Sequence, residues 1–288
     1  VGLRENGRVI AAGDNDAGQC DVGWTNIIRV AVGAVGLKSD GTVIAVGDND
    51  NGQWDVGKWT DITQIATGGG RTIGLKSDGT VLAVGWNNFG QCDVGNWTDI
   101  TEVAAGDGYT VGLKSDGTVV AVGLKGEGQC DVGNWAGIVQ VDARCCHTVG
   151  LKSDGTVVVT PQFGYDVDTW TGIVQVAVGG YHIIGLKSNG TVVATGVHGF
   201  SESANHWTNI VQVAAGEDHT VGLRSDGTVV AGGNNESGQC DVADWTDITQ
   251  VDASPCYTVG LKSDGTIVAA GCNGYNRGPC YVGWMLVS

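Results

Sequence analysis

Two loops near the beginning of the chain carry oxygen atoms at the close spacing of metal ligands. They read Asp-Asn-Asp-Ala-Gly at residues 14–18 and Asp-Asn-Asp-Asn-Gly at residues 48–52, and carboxylate and amide oxygens are the ligands that Ca²⁺ prefers. Both loops lack the distal bidentate Glu of a complete calcium-binding loop. Asp and Asn also form ordinary turns without a metal. We therefore expect turns here, and we predict neither a metal site nor a cofactor.

The nine cysteines offer thiol chemistry, but their spacing indicates a structural role. Five occupy one position of a repeated unit, where we expect small buried hydrophobic residues: Cys20, Cys92, Cys130, Cys240 and Cys280. Cys272 and Cys280 flank one loop and could form a disulfide. Cys145-Cys146-His147 with Cys256 could suggest a metal, but no Cys-x-x-Cys pair supports it. The odd count favours a reducing compartment, and the localisation stays open.

The sequence contains no pattern that would identify an enzyme. Three of the five histidines, His147, His182 and His219, recur at one position of the repeated unit, which favours a structural role. A Ser-His-Asp order, a pair of carboxylates and a phosphate-binding loop are all missing from the sequence. We therefore expect no catalytic residue and no enzyme. A hydrolase or lyase with a site at the mouth of a central channel is kept as an alternative.

Composition and charge limit the partners of the chain. Its 288 residues include 50 glycines and carry a formal net charge of −16. That charge disfavours nucleic acid, which is bound by clustered Lys and Arg, and favours basic partners. No apolar run approaches 18 residues, so we expect no insertion into a membrane. The chain begins at Val1 without a Met, which suggests a trimmed or processed start.

An internal repeat organises the whole chain. Val-Gly-Leu or a close variant occurs eight times, at intervals of 34 to 38 residues, and a Trp recurs in step with it. The Trp positions are 24, 59, 97, 135, 170, 207, 245 and 284. Two independent markers therefore count eight copies of one unit of roughly 36 residues.

Each unit divides into four short segments. In the copy that starts at Trp97 these are strand A at 100–105, strand B at 110–114, strand C at 118–122 and strand D at 129–132. Ser115-Asp116-Gly117 between B and C is a hairpin signal. Strands B and C are apolar or small on both faces. The pattern predicts an all-β, closed β-propeller of eight four-stranded antiparallel blades.

The two ends of the chain suggest how such a ring closes. The chain begins at a strand B, so the first blade lacks strand A. It ends with Trp284-Met285-Leu286-Val287-Ser288, which aligns with the beginning of strand A in the other units. We expect this C-terminal strand to complete the first blade, which makes residues 1–288 one domain.

The repeated unit resembles the regulator-of-chromosome-condensation repeat family. The segment AAGEDHTVGLRSDGTVVAGGNNESGQ from Ala214 contains the Ala-Gly, the His three residues later, the hairpin and the Asn-x-x-Gly-Gln loop of that family. The aligned His or Tyr positions are Tyr109, His147, His182, His219 and Tyr257, with Arg71 in their place once. The resemblance implies a propeller, usually of seven blades, so seven is the alternative to our count of eight. The short units look most like the bacterial β-lactamase-inhibitor propeller of this family.

Sequence variation between the copies is concentrated on one predicted face. Turn B–C is Ser-Asp-Gly or Ser-Asn-Gly in seven units, whereas turns A–B and C–D differ widely. A variable face on a fixed scaffold indicates a binding surface, although neutral drift would also produce it. We predict a monomer that binds a protein or peptide partner through this face. The candidate binding residues are Trp86, Phe89, Tyr181, Phe200, Tyr275, Arg277, Arg71 and Tyr109. A structural repeat module of a larger surface protein is a further alternative.

Overall fold

The computed structural model describes residues 2–3, 9–10, 23–31, 35–161, 165–196 and 202–271, with only the backbone at 2–3, 9–10, 202 and 203. These residues form two compact units, the first extending to Thr148 and the second beginning at Val149. Apart from one short 3₁₀ helix, Glu202–His206, every regular element within these ranges is a β-strand. No helix in the described part of the chain is long and apolar enough to cross a bilayer.

The first unit contains one two-stranded pair and then three-stranded antiparallel sheets. The pair is β1 (Gly2–Leu3) with β2 (Val9–Ile10). The sheets that follow are β3 (Ile27–Ala31), β4 (Val35–Lys38) and β5 (Val43–Ala45); β6 (Ile62–Gly68), β7 (Arg71–Lys76) and β8 (Val81–Gly85); and β9 (Ile100–Ala105), β10 (Tyr109–Lys114) and β11 (Val119–Gly123). The next sheet is β12 (Ile138–Arg144), β13 (His147–Lys152) and β14 (Val157–Thr160), and the boundary between the units falls within β13.

The second unit continues with the same arrangement. Its sheets are β15 (Ile173–Val178), β16 (His182–Lys187) and β17 (Val192–Gly196); β18 (Ile210–Ala215), β19 (His219–Arg224) and β20 (Val229–Gly233); and β21 (Ile248–Ser254), β22 (Tyr257–Lys262) and β23 (Ile267–Gly271). Each sheet has its strands in chain order, with the second strand in the middle. These three strands correspond to the predicted strands A, B and C.

The prediction of four-stranded blades is wrong for the described residues, because strand D is not a strand. Residues 129–132 form successive turns, in which Asp131 N–H donates to the carbonyl of Gly128 at 2.9 Å and Val132 N–H to that of Cys130 at 2.9 Å. The carbonyl of Gln129 accepts a hydrogen bond at 2.8 Å from the Thr148 hydroxyl of the next sheet. Because these backbone groups are already hydrogen-bonded, the segment does not pair with strand C as a fourth strand. The described sheets are seven three-stranded sheets and the β1–β2 pair.

Five of the repeated tryptophans pack in apolar clusters between consecutive sheets, as predicted: Trp59, Trp97, Trp170, Trp207 and Trp245. In the first unit, Trp97 and Ile100 form one apolar cluster with Ile73 and Leu75 of the preceding sheet. In the second unit, Trp245 forms the same kind of cluster with Val221 of the sheet before it. Burial of a Trp contributes at most about 5 kcal/mol. These clusters are the core of each unit.

Each of these rings lies directly against a glycine of strand B. A Cβ added to Gly112 would lie 2.7 Å from Trp97 and 3.1 Å from Ile100. Real Cβ atoms do not approach a ring this closely, so a residue without a side chain is required at this point of the strand. The same relation joins Gly74 with Trp59 at 2.7 Å. The central Gly of the Val-Gly-Leu repeat is therefore a packing requirement of the core.

The nearly constant B–C turn is held by two neighbouring segments. In the turn between β10 and β11, Ser115 N–H donates to the carbonyl of Asp99, just before its own strand A, and the carbonyl of Gly117 accepts from Ile138 N–H of the next strand A. Asp116 Oδ1 accepts from the Thr118 amide at 2.9 Å and from its hydroxyl at 2.6 Å. The uniform sequence of this turn therefore follows from its role in linking consecutive sheets.

Two parts of the expected ring lie outside the described residues. These are the C-terminal segment 284–288, assigned to strand A of the first blade, and the loop that contains Cys272 and Cys280. The β1–β2 pair stands where strands B and C of the first repeat are expected.

Enlarging the glycine beneath a tryptophan ring should destabilise the protein. We expect Gly112→Ala to lower the free energy of unfolding by about 1–3 kcal/mol, because the added methyl group overpacks a filled core. Urea unfolding followed by tryptophan fluorescence measures the change. Gly95→Ala is the matched control, since a Cβ at Gly95 has no atom within 4 Å. Equal unfolding midpoints for the two variants would contradict the role given to the Trp–Gly contact.

The B–C turn aspartates should make stability depend on pH in acid. Hydrogen bonds from the Thr two residues later lower the pKa of Asp116 and of Asp226 below 3.8. A carboxyl with a depressed pKa binds fewer protons folded than unfolded, so its contribution is present above the unfolded pKa and lost as the pH falls through the folded pKa. We expect Asp116→Asn/Asp226→Asn to melt like the wild type at pH 7 and to lose less stability between pH 5 and pH 2.

The fifth sheet shows that Asn can replace Asp in this turn. Asn189 Oδ1 accepts from the Thr191 amide at 3.0 Å and from its hydroxyl at 2.7 Å. The double variant therefore keeps both hydrogen bonds while it removes the titration. Melting temperatures measured across the acid range provide the comparison, and parallel curves for the two proteins would exclude the proposed contribution.

Candidate functional site

The C–D loop after β8 presents two aromatic rings. Trp86 N–H donates to the carbonyl of Gly70 at 3.0 Å, which places the beginning of this loop beside turn A–B of the same sheet. The rings of Trp86 and Phe89 pack edge to face, with centroids 5.1 Å apart and an angle of 75° between their planes. Phe89 remains 46% exposed. The structure thus brings together two residues that the sequence placed on one rim.

The backbone of this loop is fixed by its own side chains. Gln91 Oε1 accepts from Phe89 N–H at 2.9 Å. Asn87 accepts from Cys92 N–H at 2.7 Å and donates to Asp93 Oδ1 at 3.0 Å. The Cys92 thiol donates to the carbonyl of Trp86 at 3.4 Å. Four side-chain contacts within one short loop hold the two aromatic rings in a defined position.

The same bracing accounts for the acidic loop at 48–52. Asn49 accepts from Trp54 N–H at 2.7 Å and donates to Asp55 Oδ1 at 3.0 Å, and Asp48 Oδ1 accepts from Asp50 N–H at 2.9 Å. These side chains satisfy the turn itself. Within the described ranges, no group of three or more His, Cys, Asp and Glu side chains is arranged to hold a metal ion. Residues 14–18 lie outside those ranges.

An apolar surface continues from Phe89 to the next repeat. A Cβ added to Gly108 would lie 3.6 Å from both Phe89 Cδ2 and Leu124 Cβ, so Gly108 separates these two side chains. Leu124 is 36% exposed, and its N–H donates to the carbonyl of Gly108 at 2.8 Å. We call Trp86, Phe89 and Leu124 the loop patch.

Leu124 was missed by the sequence analysis, although a signal was available. Leu124 occupies the first position of its C–D loop, as Trp86 does in the preceding repeat. Each of the two donates its N–H to the carbonyl of the second residue of its own turn A–B. The sequence criterion for these loops admits only aromatic and Arg side chains, which leaves Leu124 out. Alignment of the loops by position would have identified the aliphatic member of the patch.

The segments beside the loop patch are mainly acidic. Asp107 precedes Gly108 in turn A–B, Glu127 follows Leu124 in its loop, and Asp93 ends the loop of Phe89. Lys125 is the one cation in these segments. An apolar centre with carboxylates beside it is complementary to a basic partner with exposed apolar side chains.

Tyr181 is a solvent-exposed aromatic residue of the second unit. It lies in turn A–B between β15 and β16 and is 42% exposed. The preceding residue, Gly180, donates its N–H to the carbonyl of Glu217 at 2.9 Å, so this turn is linked to the next turn A–B. The predicted residues Phe200, Tyr275 and Arg277 lie outside the described residues.

Arg71 and Tyr109 are not surface residues, so they cannot belong to the loop surface as predicted. Arg71 is 1% exposed and Tyr109 is 0% exposed. Arg71 Nη2 donates to the carbonyls of Gly106, at 2.8 Å, and of Tyr109, and Arg71 Nη1 donates to that of Gly68 at 2.7 Å. Burial lowers the pKa of Arg71 to about 10. Each carbonyl removes part of the desolvation cost of the buried guanidinium.

The position shared by Arg71 and Tyr109 links each sheet to the next. The Tyr109 hydroxyl donates to the carbonyl of His147 at 2.5 Å, and burial raises the pKa of Tyr109. In the second unit, His182 Nε2 is hydrogen-bonded to the Thr220 hydroxyl at 2.8 Å and His219 Nε2 to the Thr258 hydroxyl at 3.0 Å. The recurring His, Tyr and Arg are therefore structural, as the sequence indicated for the histidines.

The described cysteines fall into three groups. Cys92, Cys130 and Cys240 are partly buried thiols that donate to the first carbonyl of their C–D loop, and burial raises the pKa of Cys130 and of Cys240 to about 11. Cys145 and Cys146 are also free. Cys256 is disulfide-bonded, and its partner is not among the described residues, so the expectation of an unpaired cysteine pattern does not hold for Cys256.

Comparison with known proteins gives the family of the repeats. Three segments, residues 62–91, 173–200 and 210–239, match the Regulator of chromosome condensation (RCC1) repeat. Each segment runs from strand A to the C–D loop of one copy. No curated protein sequence shows a significant match to the chain.

Solved structures similar to this chain include two receptor-kinase ectodomains and a yeast protein. The CRINKLY WD40 ectodomain of the Arabidopsis thaliana receptor kinase ACR4 has a TM-score of 0.63 and 18% identity, over 84% of this chain and 96% of that chain. The ectodomain of the Physcomitrella patens receptor kinase CR4 has a TM-score of 0.66 and 16% identity, over 85% of this chain and 74% of that chain. Saccharomyces cerevisiae Prp20p has a TM-score of 0.59 and 17% identity, over 91% and 83%.

These similarities agree with the sequence-based interpretation of the fold. WD40 repeats form β-propellers, and yeast RCC1 (Prp20) is among the similar structures. The chain is an all-β repeat protein with the fold of this group. Three of its segments match the regulator-of-chromosome-condensation repeat, and the resemblance drawn from its sequence is confirmed.

Proposed function

We propose that this chain is a scaffold that binds a protein or peptide through its A–B and C–D loops, and that it is not an enzyme. The observation that carries the proposal is the loop patch, in which Trp86, Phe89 and Leu124 expose apolar surface from loops held by internal hydrogen bonds. Large apolar side chains fixed before binding lose little conformational entropy when a partner docks.

The charge of the chain favours a basic partner. The formal net charge is −16, and Asp107, Glu127 and Asp93 lie in the segments of the loop patch. We propose a peptide segment in which an aliphatic or aromatic residue is flanked by Lys or Arg. The apolar residue would contact the loop patch, and the cations would face the carboxylates.

The similar structures support protein binding as a use of this fold. Yeast Prp20p was solved together with a study of its binding to Gsp1p and histones. A second structure contains yeast RCC1 bound to Kap60. These partners are those of the yeast protein. For this chain we infer only that propellers with such repeats bind proteins by their surfaces.

We further propose that the eight repeats form one closed propeller domain over residues 1–288, and that this domain is a monomer. Eight sequence markers, seven three-stranded sheets and the β1–β2 pair support the count. The segment 284–288 would supply the missing strand A of the first repeat. A structural module of a larger surface protein remains the competing function, and it predicts no specific ligand for the loop patch.

Substitution of the loop patch should weaken peptide binding. Peptides selected from a displayed random library against the wild-type protein should be enriched in Lys, Arg and large apolar residues. We expect Phe89→Ala/Leu124→Ala to weaken the binding of such a peptide at least tenfold, because an anchor residue truncated at the centre of an interface costs about 1–2 kcal/mol or more. Fluorescence anisotropy measures the dissociation constant.

Val211→Ala is the matched control for the loss of exposed apolar surface, since Val211 is 54% exposed and lies in strand β18 rather than in a loop. It should leave the affinity unchanged. Added salt should reduce the association rate for a basic peptide, because screening weakens long-range attraction. Failure to select any peptide, or equal affinity for both variants, would favour the structural-module alternative.

Removal of residues 284–288 should strongly destabilise the chain if the ring is closed by them. The deletion leaves strand β1 without a neighbour on one side and exposes unpaired backbone groups. We expect a lower melting temperature and a greater tendency to aggregate than in the wild type. Differential scanning calorimetry provides the measurement, and an unchanged melt would refute closure by this segment.

A further inference from the structure

A ladder of glutamine side chains joins the first strands of consecutive sheets. In the first unit, Gln64 of β6 donates to the carbonyl of Val103 in β9 at 3.2 Å and accepts from Val103 N–H at 3.0 Å. In the second unit, Gln175 makes the same two bonds with Val213, and Gln212 makes them with Val251. An amide suits this position because it has both a donor and an acceptor.

At two described positions that correspond to the Gln of this ladder, the residue is charged instead. Arg29 stands there in β3 and Glu102 stands there in β9. Glu102 accepts from Val141 N–H at 3.2 Å, but an ionised carboxylate has no proton to donate to the carbonyl of that residue. The Arg29 guanidinium has no hydrogen-bond or ion-pair partner within the described part of the chain. An Arg cannot accept a backbone N–H at all. Arg29 is therefore not explained by the ladder, and Glu102 meets the ladder in full only when its carboxyl group is protonated.

Arg29 and Glu102, the two residues that replace Gln, line one cavity of the first unit. The cavity has a volume of about 490 Å³ and is lined by Arg29, Thr63, Gln64, Leu75, Thr101, Glu102, Leu113 and Val139. This volume would accommodate a small molecule, and the cavity is open to solvent, since Thr63, Thr101 and Val139 in its lining are exposed. Gln64, which keeps its ladder bonds, lies in the strand between those of Arg29 and Glu102. The cavity therefore has a cationic group and a carboxyl group, separated by a neutral strand.

The wall between these groups is partly apolar. β-Bulges interrupt the pairing at Ile62/Gln64 and at Leu113/Lys114, and a bulge redirects the side chain beside it. The hydroxyls of Thr63 and Thr101 donate to the carbonyls of Leu75 and Leu113. Their methyl groups and the side chain of Val139, which is 54% exposed, suit a short hydrocarbon chain.

Glu102 changes its charge near neutral pH. Burial raises its pKa to about 7, opposed by the hydrogen bond from Val141 N–H and assisted by the nearby carboxylate of Asp142. Asp142 belongs to β12, Arg29 of β3 lines the same cavity, and β6 contributes the neutral Gln64. A positively charged group placed beside Glu102 would favour its ionised form.

We propose that this cavity binds a small zwitterion whose carboxylate pairs with Arg29 and whose ammonium group pairs with Glu102. The hydrocarbon between the two charges would contact the methyl groups of Thr63, Thr101 and Val139. The site is independent of the loop patch, so it does not depend on the partner proposed above. Because the two charged residues stand on either side of the strand of Gln64, the ligand class is an ω-amino acid with several methylene groups.

Titration calorimetry with a series of ω-amino acids tests the site. The probes are 4-aminobutyrate, 5-aminopentanoate and 6-aminohexanoate, with hexanoate and hexylamine as controls that carry one charge each. We expect one chain length to bind best at pH 8, and at least tenfold more tightly than either control. Binding should weaken between pH 8 and pH 6, because protonation removes the charge of Glu102.

Arg29→Gln and Glu102→Gln are the informative variants, since each introduces the residue that other repeats carry. Both should retain the wild-type melting temperature within a few degrees and lose at least tenfold in affinity, and Glu102→Gln should also lose the pH dependence. Gln212→Glu places the same charge at a ladder position of the second unit and should leave binding intact. Phe89→Ala/Leu124→Ala should also bind normally, which separates this site from the loop patch.

Three results would overturn the proposal. They are no heat of binding for any member of the series, equal affinity for hexanoate or hexylamine, and unchanged affinity in both Gln variants. If one variant melts at a clearly lower temperature, the other variant and the pH dependence of the wild type decide the outcome.

Discussion

The contact between a tryptophan ring and a glycine of strand B is the constraint on which each repeat depends. The ring occupies the space that a side chain would need, so Gly112 and Trp97 specify one another. The same ring contacts the preceding sheet, so a single side chain fixes both the packing within a repeat and the packing between neighbours. The short C–D segment that ends at this Trp must therefore return to the same place in every copy. This requirement explains why Gln, Asn and Asp brace the C–D loops with side-chain hydrogen bonds instead of forming a fourth strand.

Polar contacts then join the sheets at fixed positions along the strands. The B–C turn is held by two neighbouring segments, the His, Tyr or Arg of strand B is bonded to the next sheet, and the Gln of strand A bonds the next strand A. These positions allow little change because their backbone partners would be left buried and unpaired. Among the described residues, two kinds of position depart from this pattern. One is the outer surface of the braced loops, and the other is a ladder position where the amide has been exchanged for a charged residue.

The repeat, strands A to C and the core could be predicted from the sequence. The turn structure of segment D and the burial of some candidate site residues could not. Strand A was predicted at 100–105 and is found at Ile100–Ala105, because apolar periodicity and the Asp-Gly hairpin signal are local. The prediction of strand D was wrong because a short segment with Cys and Val between Gln and Asp is compatible with either a strand or a turn. The bond from Thr148 to Gln129 that decides between them comes from the next sheet. Arg71 and Tyr109 were assigned to the surface by residue type, whereas their burial depends on carbonyls of the following repeat. Contacts between repeats are the information that a single unit does not contain.

A repeat protein provides its own reference for what a position requires. Five of the seven described copies carry Gln at the ladder position, and three of these Gln side chains make two backbone hydrogen bonds. The structural demand is thus known from the molecule itself, and a charged residue at that position does not meet it in full. Arg29 and Glu102 are such exceptions, and they line the same cavity. Trp86 and Leu124 are exceptions of another kind, because Asn234, at the same loop position, is polar and its side chain accepts a bond from Glu236 N–H. In both cases the scaffold tolerates the exchange since the neighbouring ladder and loop bonds are intact. Function in such a fold is therefore expected where a copy departs from its siblings without a structural reason, rather than where the copies agree.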